Sequence, residues 1–313
     1  MMDGTDKIKK TSIMITGGSG LVGSYLTSLL LSENFRVSHL STKTQQFGLV
    51  RVFRWDPARG ILDPAHLHDV DYIIHLAGAN IGEKRWTDKR KKEITDSRIV
   101  SARLLHKTIK DNGIDLKGFI SASATGYYGS LTSDRIFTEE DSPAADFLGT
   151  TCRLWEESAS QFEKSGIRTV MIRSGVVLEK NRGVLEKLPV TAKLGFLASL
   201  GNGRQYMPWI HISDLCSIYL KAITDGSMSG PYNAVAPQHI THLNFMKILS
   251  EVMHKPLMPV KVPGLLIKMA LGEMSDIILG GSRVSASKII SSGFEFKHGD
   301  LKESLEDLLL KEK

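Results

Sequence analysis

No apolar stretch in this 313-residue chain approaches the roughly 18 residues that a membrane-spanning helix needs. The opening Met1–Lys10 is polar and has no apolar core of the kind a secretory leader carries. Two cysteines, Cys152 and Cys216, are too few for a disulfide framework or a zinc site. These absences predict a reduced, cytoplasmic protein with no membrane partner and no structural metal. A net charge of +6 is too small and too dispersed to argue for nucleic acid, but it agrees with an anionic small ligand. There is no internal repeat and no low-complexity segment, and nothing in the sequence sets the oligomeric state. What is present is 42% hydrophobic content, enough for one large α/β domain with a smaller one appended.

The chain is organised around Ile13–Gly23 (IMITGGSGLVG). A short apolar run leads into glycines, and Leu26, Leu29 and Leu30 then recur at helical spacing. Strand, glycine turn and helix are the context that gives a G-x-G-x-x-G pattern meaning as a dinucleotide turn. Gly18 is assigned the sharp turn, Gly20 the close approach of backbone N–H groups to a pyrophosphate, and Gly23 the closure of helix on strand. Gly17, Ser19, Leu21 and Val22 complete the cradle, whose helix N-terminus offers free N–H groups and the positive dipole end.

Phe35–Leu40 reads as the second strand. A NAD-selective fold places an acid near the end of this strand to hold the ribose 2′-hydroxyl. Here Ser41-Thr42-Lys43-Thr44 follows, with no acid before Asp56. Hydroxyls and a cation suit a 2′-phosphate, so NADP(H) is favoured over NAD(H), with Thr42 and Lys43 as the contacts. The competing role for Lys43 is a solvated loop lysine. Val50–Trp55 reads as a third strand that carries Asp56 toward the adenine. Asp71–Leu76 is a continuous apolar strand, as a covered parallel sheet requires, and it opens into Leu76, Ala77 and Gly78 beside the cofactor. Glu83–Lys110 is helical and basic, but interspersed acids make a solvated face the better reading than a nucleic-acid patch.

Lys117–Ser123 is the next strand, and its Ser121 and Ser123 reach the ligand-facing end of the sheet; capping of the following turn is the plainer role. Thr150–Lys164 is a helix holding Cys152, Trp155 and Glu156. Arg168–Arg173 is another buried strand, and Arg173 and Gly175 at its end are further cofactor candidates. Beyond Val176 the alternation breaks. Lys187–Leu200 reads as an apolar helical segment, Trp209–Asp214 as a strand entering a helix capped by Ser213 or Asp214, and residues 301–310 as a final helix capped by Asp300. In the glycine loop from Gly201, Arg204, Gln205 and Trp209 look like a substrate-facing wall, with Arg204 as anion anchor.

Taken together, these pieces resemble the extended short-chain dehydrogenase/reductase superfamily, which contains nucleotide-sugar epimerases and dehydratases. Thr16–Gly23 matches its T-G-G-x-G-x-x-G turn, His75–Gly78 its H-x-A-[AG] stretch, and Ser121–Gly129 resembles its S-S-S-A-x-x-Y-G segment. The chain is similar in more detail to epimerase-family proteins of unknown substrate, which end in a C-terminal domain of unknown function. That likeness rests on L-A-G-x-x-I-x-x-K-R-W-T (Leu76–Thr87), S-A-T-G-Y-Y-G (Ser123–Gly129) and G-x-G-R-Q-x-x-x-W-I-H-I-x-D (Gly201–Asp214). The resemblance implies a Rossmann α/β fold, a doubly wound parallel sheet with a smaller C-terminal α/β substrate domain. The expected division is a polar tail over 1–10, an NADP-binding domain over 11–176 to which 210–236 returns, and a substrate domain from 177–209 and 237–313.

The departure from the superfamily is in its proton-transfer pair, Tyr-x-x-x-Lys. At the family's spacing these positions are Leu148 and Cys152, and no Tyr-x-x-x-Lys occurs anywhere in residues 130–175. Leu148 has no proton to give and Cys152 no positive charge. One expectation is an NADP-dependent oxidoreductase or epimerase acting on a carbonyl, hydroxyl or nucleotide-sugar-like small molecule with a rebuilt donor. Ser123 would then polarise the substrate oxygen, with Tyr127, Tyr128, Cys152 and His211 as candidate acids. Plainer roles compete: packing for Tyr128, core filling for Cys152 and an interior satisfied imidazole for His211. The alternative expectation is an NADP(H)-binding redox sensor or scaffold without turnover.

Overall fold

The computed structural model describes residues 10–43, 47, 48, 50–180, 182–187, 197–259 and 261–310. The apolar runs form strands β1 (Ser12–Thr16), β2 (Arg36–Ser41), β3 (Arg51–Arg54), β4 (Tyr72–His75) and β5 (Gly118–Ala124). They are followed by β6 (Ile136–Phe137), β7 (Thr169–Ser174), β8 (Val176–Glu179), β9 (Trp209–His211), β10 (Gly230–Ala234) and β11 (Arg283–Val284). Seven of them make one sheet in the order β10-β7-β5-β4-β1-β2-β3. Each neighbouring pair runs parallel. The order reverses direction between β1 and β4, the switch point outside which doubly wound sheets bind ligands.

Alternation along each strand sends side chains to opposite faces. Ile13, Ile15, Ile74, Ile120 and Ile172 point to the face covered by α1 (Leu21–Ser32) and by the helix Ile212–Thr224. Met14, Ile73, Phe119 and Met171 point to the other face, under α2 (Asp88–Asp111) and α3 (Phe147–Lys164). There Phe119 and Phe162 stack with ring centroids 3.7 Å apart. A third core gathers Leu178, Trp209, Phe245, Leu249, Leu301 and Leu305 in the second half of the chain. Two short parallel ribbons, β8 with β9 and β6 with β11, lie outside the main sheet. Among the described residues no helix is long and apolar enough to cross a membrane.

Several element ends differ from expectation, each for a local reason. The third helix begins at Phe147 rather than Thr150, because the Asp146 carboxylate caps it through Gly149 N. The basic helix begins at Asp88, capped by Thr87, not at Glu83. The helix α5 (Ile212–Thr224), preceded by α4 (Gly183–Lys187), is capped by the His211 imidazole, which accepts from Ser213 N. Asp214 accepts instead from the backbone N–H groups of Lys297 and His298. Of the segment Lys187–Leu200, residues 188–196 lie outside the described residues, while Leu197 and Leu200 form parallel bridges to Leu257 and Val262 and are not helical. Thr44 and residues 1–9 also lie outside the described residues. Asp300 caps the final helix, Leu301–Leu309. Cys152 and Cys216 are buried and free.

Candidate functional site

At the end of β1 the chain must turn at once into α1, and the glycines divide this work differently from the sequence expectation. Gly17, not Gly18, takes the left-handed backbone, with φ +73°, and a Cβ there would lie 2.9 Å from the Leu76 carbonyl carbon. Gly18 makes room for a side chain: its Cβ would fall 2.4 Å from the His39 ring. Gly23 brings the first helical turn down on the loop, its Cβ position lying 2.4 Å from Gly17 O. Gly20 caps α1 and is exposed, with only Gly17 O near its Cβ position, at 3.2 Å. The N–H groups of Leu21, Val22 and Gly23 precede the first intrahelical bond, from Ser24 N to Gly20 O at 3.0 Å.

Beside this turn lies a cleft of about 440 Å3, within the roughly 300–1,000 Å3 usual for small-molecule and cofactor sites. Of the expected cofactor residues, Gly17, Gly18, Ser19, Thr42, Lys43, Asp56, Ala77 and Gly78 line it, with Ser41 beside them. Asp56 caps the short turn Pro57–Arg59 by accepting from Arg59 N. These features fit the adenosine diphosphate half of a dinucleotide: side-chain-free glycines, a helix N-terminus, and hydroxyls with a lysine where an acid would repel a 2′-phosphate.

A buried polar chain supports the cleft and was not read from the sequence. Thr16 and His75 are register partners across β1 and β4, and Thr16 Oγ1 lies 2.8 Å from His75 Nδ1. Thr16 Oγ1 also accepts from the backbone N–H groups of Leu76 and Ala77, so its proton goes to His75. That leaves the His75 proton on Nε2, 3.1 Å from Ser101 Oγ. Burial lowers the His75 pKa to about 4, so the ring is neutral. His39 is likewise lowered to about 4 by burial and meets Thr27 Oγ1 at 2.8 Å. The H-x-A-G motif carried the signal for His75. Nothing in the sequence singled out His39.

The remaining cofactor candidates lie off this cleft. Ser121 is fully buried and donates to Ala122 O. Gly175 is a strand joint whose Cβ would meet Pro208 O at 2.6 Å. Arg173, 2% exposed, is spent on a two-pronged bond to Glu156 at 2.8 Å and 2.8 Å. This pair orders much of the expected catalytic end. Ser123, also 2% exposed, donates its proton to Glu156 Oε1 at 2.6 Å. In this arrangement the Ser123 proton is held by the carboxylate rather than offered to a ligand. Tyr128 accepts from Arg173 Nη1 at 2.9 Å and donates to Asn233 Oδ1 at 2.7 Å. Burial pushes its phenol up to about 12 although Arg173 opposes.

Leu148 and Cys152 both face Gly126, whose Cβ position is 3.4 Å from Leu148 Cβ and 3.7 Å from Cys152 Sγ. Burial, with Glu156 adding to it, pushes the Cys152 thiol up to about 12, so it stays protonated at neutral pH, and the side chain is buried. His211 sits among Ser213, His298 and Asp307, on a different sheet from Ser123. Burial, with His298 adding to it, lowers its pKa to about 4. Tyr127 alone of the five catalytic candidates is only partly buried, its ring 3.6 Å from the Arg173 guanidinium. Burial raises its pKa while Arg173 opposes.

On the expected substrate wall, Arg204 is exposed. Gln205 is buried and ties Leu200 O to Ile278 O, and Trp209 has no exposed surface. Those two side chains pack and stitch loops; they present no face to solvent.

Comparison with known proteins agrees with this geometry. The model of the NAD dependent epimerase/dehydratase family matches residues 13–235. That of a domain of unknown function, DUF1731, matches residues 262–308. The chain is 35% identical over 294 residues to the epimerase family protein Mb2239 of Mycobacterium bovis, covering 94% of this chain and 96% of that protein. It is also 35% identical over 302 residues to the epimerase family protein YfhF of Bacillus subtilis, covering 95% and 98%. Among solved structures, human epimerase family protein SDR39U1 with NADPH superposes with a TM-score of 0.84 at 26% identity, covering 95% of this chain and 99% of that one.

Proposed function

The chain belongs to the NAD dependent epimerase/dehydratase family, and on that premise we propose that it is an NADP(H)-dependent oxidoreductase of the epimerase type. Its substrate is a small carbonyl, hydroxyl or nucleotide-sugar-like compound, and it works without the Tyr-x-x-x-Lys pair. The observation that carries this reading is the cleft at the switch point, bordered by Ser41, Thr42 and Lys43 with no acid at the end of β2. The NADPH held by the human relative supports the same choice. When bound, the cofactor supplies or accepts a hydride. The N-terminus of α1 and the Gly17–Gly20 turn bind its pyrophosphate, and Lys43 pairs with the 2′-phosphate. Tyr127, protonated at neutral pH and the one accessible acid of the five candidates, gives a proton to the substrate oxygen. Exposed Arg204 favours an anionic substrate.

The burial of Ser123, Tyr128, Cys152 and His211 favours a second reading, an NADP(H) binder without turnover. Titration with NADPH and NADH tests the cofactor choice. NADPH should bind at least tenfold more tightly, about 1.4 kcal/mol, and Lys43→Ala should close most of that gap. Equal affinities in the wild type would remove the NADP assignment. A screen of aldehydes, quinones and nucleotide-sugars for NADPH oxidation, repeated with Tyr127→Phe, separates the enzyme from the binder.

A further inference from the structure

Two cysteines cannot build a zinc site on thiolates, but one cluster of other donors stands apart from the cleft. His211 ends β9 and caps α5, His298 lies in the loop before the final helix, and Asp307 is on that helix. Each offers one ligand atom, and the three atoms all lie within 4.8 Å of one another. His211 Nε2 is 3.5 Å from Asp307 Oδ2. The His211 and His298 rings stack with their centroids 3.8 Å apart.

The surrounding backbone holds the three together. Asp214, in the first turn of α5, accepts from Lys297 N at 3.1 Å and His298 N at 2.9 Å. Ser304 Oγ donates to His298 O at 3.3 Å, which ties the same loop to the final helix. That helix buries Leu301, Leu305 and Leu308, so Asp307 rides on a packed element.

His211 by itself points to a missing ligand. It is 3% exposed, and its Nε2 is buried without a hydrogen-bond partner. A buried polar atom left in that state is costly, and each such atom calls for an explanation. His298 and Asp307 are partly exposed, so an ion can enter from solvent beside them.

We propose that His211, His298 and Asp307 form a site for a divalent transition ion of the zinc class. Two imidazoles and a carboxylate suit such an ion better than calcium or magnesium, which take oxygen ligands. Three protein ligands leave a fourth, solvent-facing position for water. Ligand atoms around a tetrahedral zinc stand about 3.4 Å apart. The His211–Asp307 spacing already meets this, and the His298 ring closes the rest by tilting out of its stack. Ligation through Nε2 requires the His211 proton on Nδ1. Ser213 Oγ, 2.6 Å from Nδ1, accepts it there, at the cost of the cap on Ser213 N. The bound ion clamps the final helix to the start of α5.

Untagged protein stripped with a chelator is titrated with Zn2+ by calorimetry and with Co2+ by visible absorption. One ion per chain is expected, with cobalt bands that zinc displaces. Zinc should also raise the thermal midpoint, because the unfolded chain does not hold the three donors together. His298→Ala and Asp307→Asn, both at partly exposed positions, should each weaken zinc at least tenfold and remove the cobalt bands. No binding at millimolar Zn2+ overturns the proposal. Zinc affinity within threefold of wild type in either variant also overturns it, and places the ion on others of the ten histidines. Should one variant fail to fold by circular dichroism, the other decides on the same criterion.

Discussion

At the β1–β4 end of the sheet, buried polar atoms are neutral and their hydrogen bonds hold a cleft open. Thr16, His75 and Ser101 form a chain that anchors the backbone of Leu76 and Ala77, and His39 leans over Gly18. At the β5–β7 end the buried polar atoms are charged, and their bonds close the interior. Glu156 takes both prongs of Arg173 and the proton of Ser123, and Tyr128 lies between Arg173 and Asn233. Both regions satisfy their polar groups, as buried groups must be, but only the first leaves room for a ligand. The right residue type near the ligand-facing end of a strand is not enough for catalysis; its proton or lone pair must also be free.

The sharpest way to break the contrast is to strip the charged end of one partner. Arg173→Met leaves the Glu156 carboxylate buried and unpaired. It should cost about 3–5 kcal/mol, read as a fall in the urea midpoint, while a concurrent Glu156→Leu should restore most of it through non-additivity. A single variant as stable as wild type would mean the pair is not structural.

The neutral end should respond to pH instead. The folded pKa of His75 is depressed to about 4 from 6.5. Its contribution is therefore complete above about pH 6.5 and is lost as pH falls toward 4. At about 1.4 kcal/mol per unit, the full loss is about 3 kcal/mol. His39, His211 and His242, each lowered to about 4, add in the same direction. Urea midpoints at pH 7 and pH 5 should diverge in the wild type and less so in His75→Gln. Parallel behaviour in the two proteins would show that His75 titrates normally.

Gly18→Ala tests whether the cleft depends on the His39 position. Its methyl would meet the ring at 2.4 Å, so overpacking should cost about 1–3 kcal/mol. NADPH affinity should fall with it, because the displaced ring lines the cleft. Retained affinity in a destabilised protein would separate the ring from the site.

The smallest effect is expected at Cys152, 5% exposed and facing Gly126. Cys152→Ala should cost about 1 kcal/mol in thermal unfolding and leave NADPH binding unaltered. A lost activity would return the thiol to the list of acids.

What could be read from the sequence is what leaves a local imprint. Continuous apolar runs at Ile13, Ile73, Phe119 and Val170 announced a sheet buried on both faces. Glycine spacing after Ile15 announced the turn, because a strand that bends at once into a helix needs backbone without side chains. The absence of an acid after Leu40 was equally local. Even there the sequence could not say which glycine turns and which yields space, since Gly18's neighbour is His39, on another strand.

Commitment of hydrogen bonds was decided only by the tertiary structure. Ser123 meets Glu156 across 33 residues, Thr16 meets His75 across 59, and Tyr128 meets Asn233 across 105. No periodicity records such partnerships. Which of the candidate acids keeps an accessible proton, Tyr127 alone, was therefore decided only once the helices had packed on the sheet.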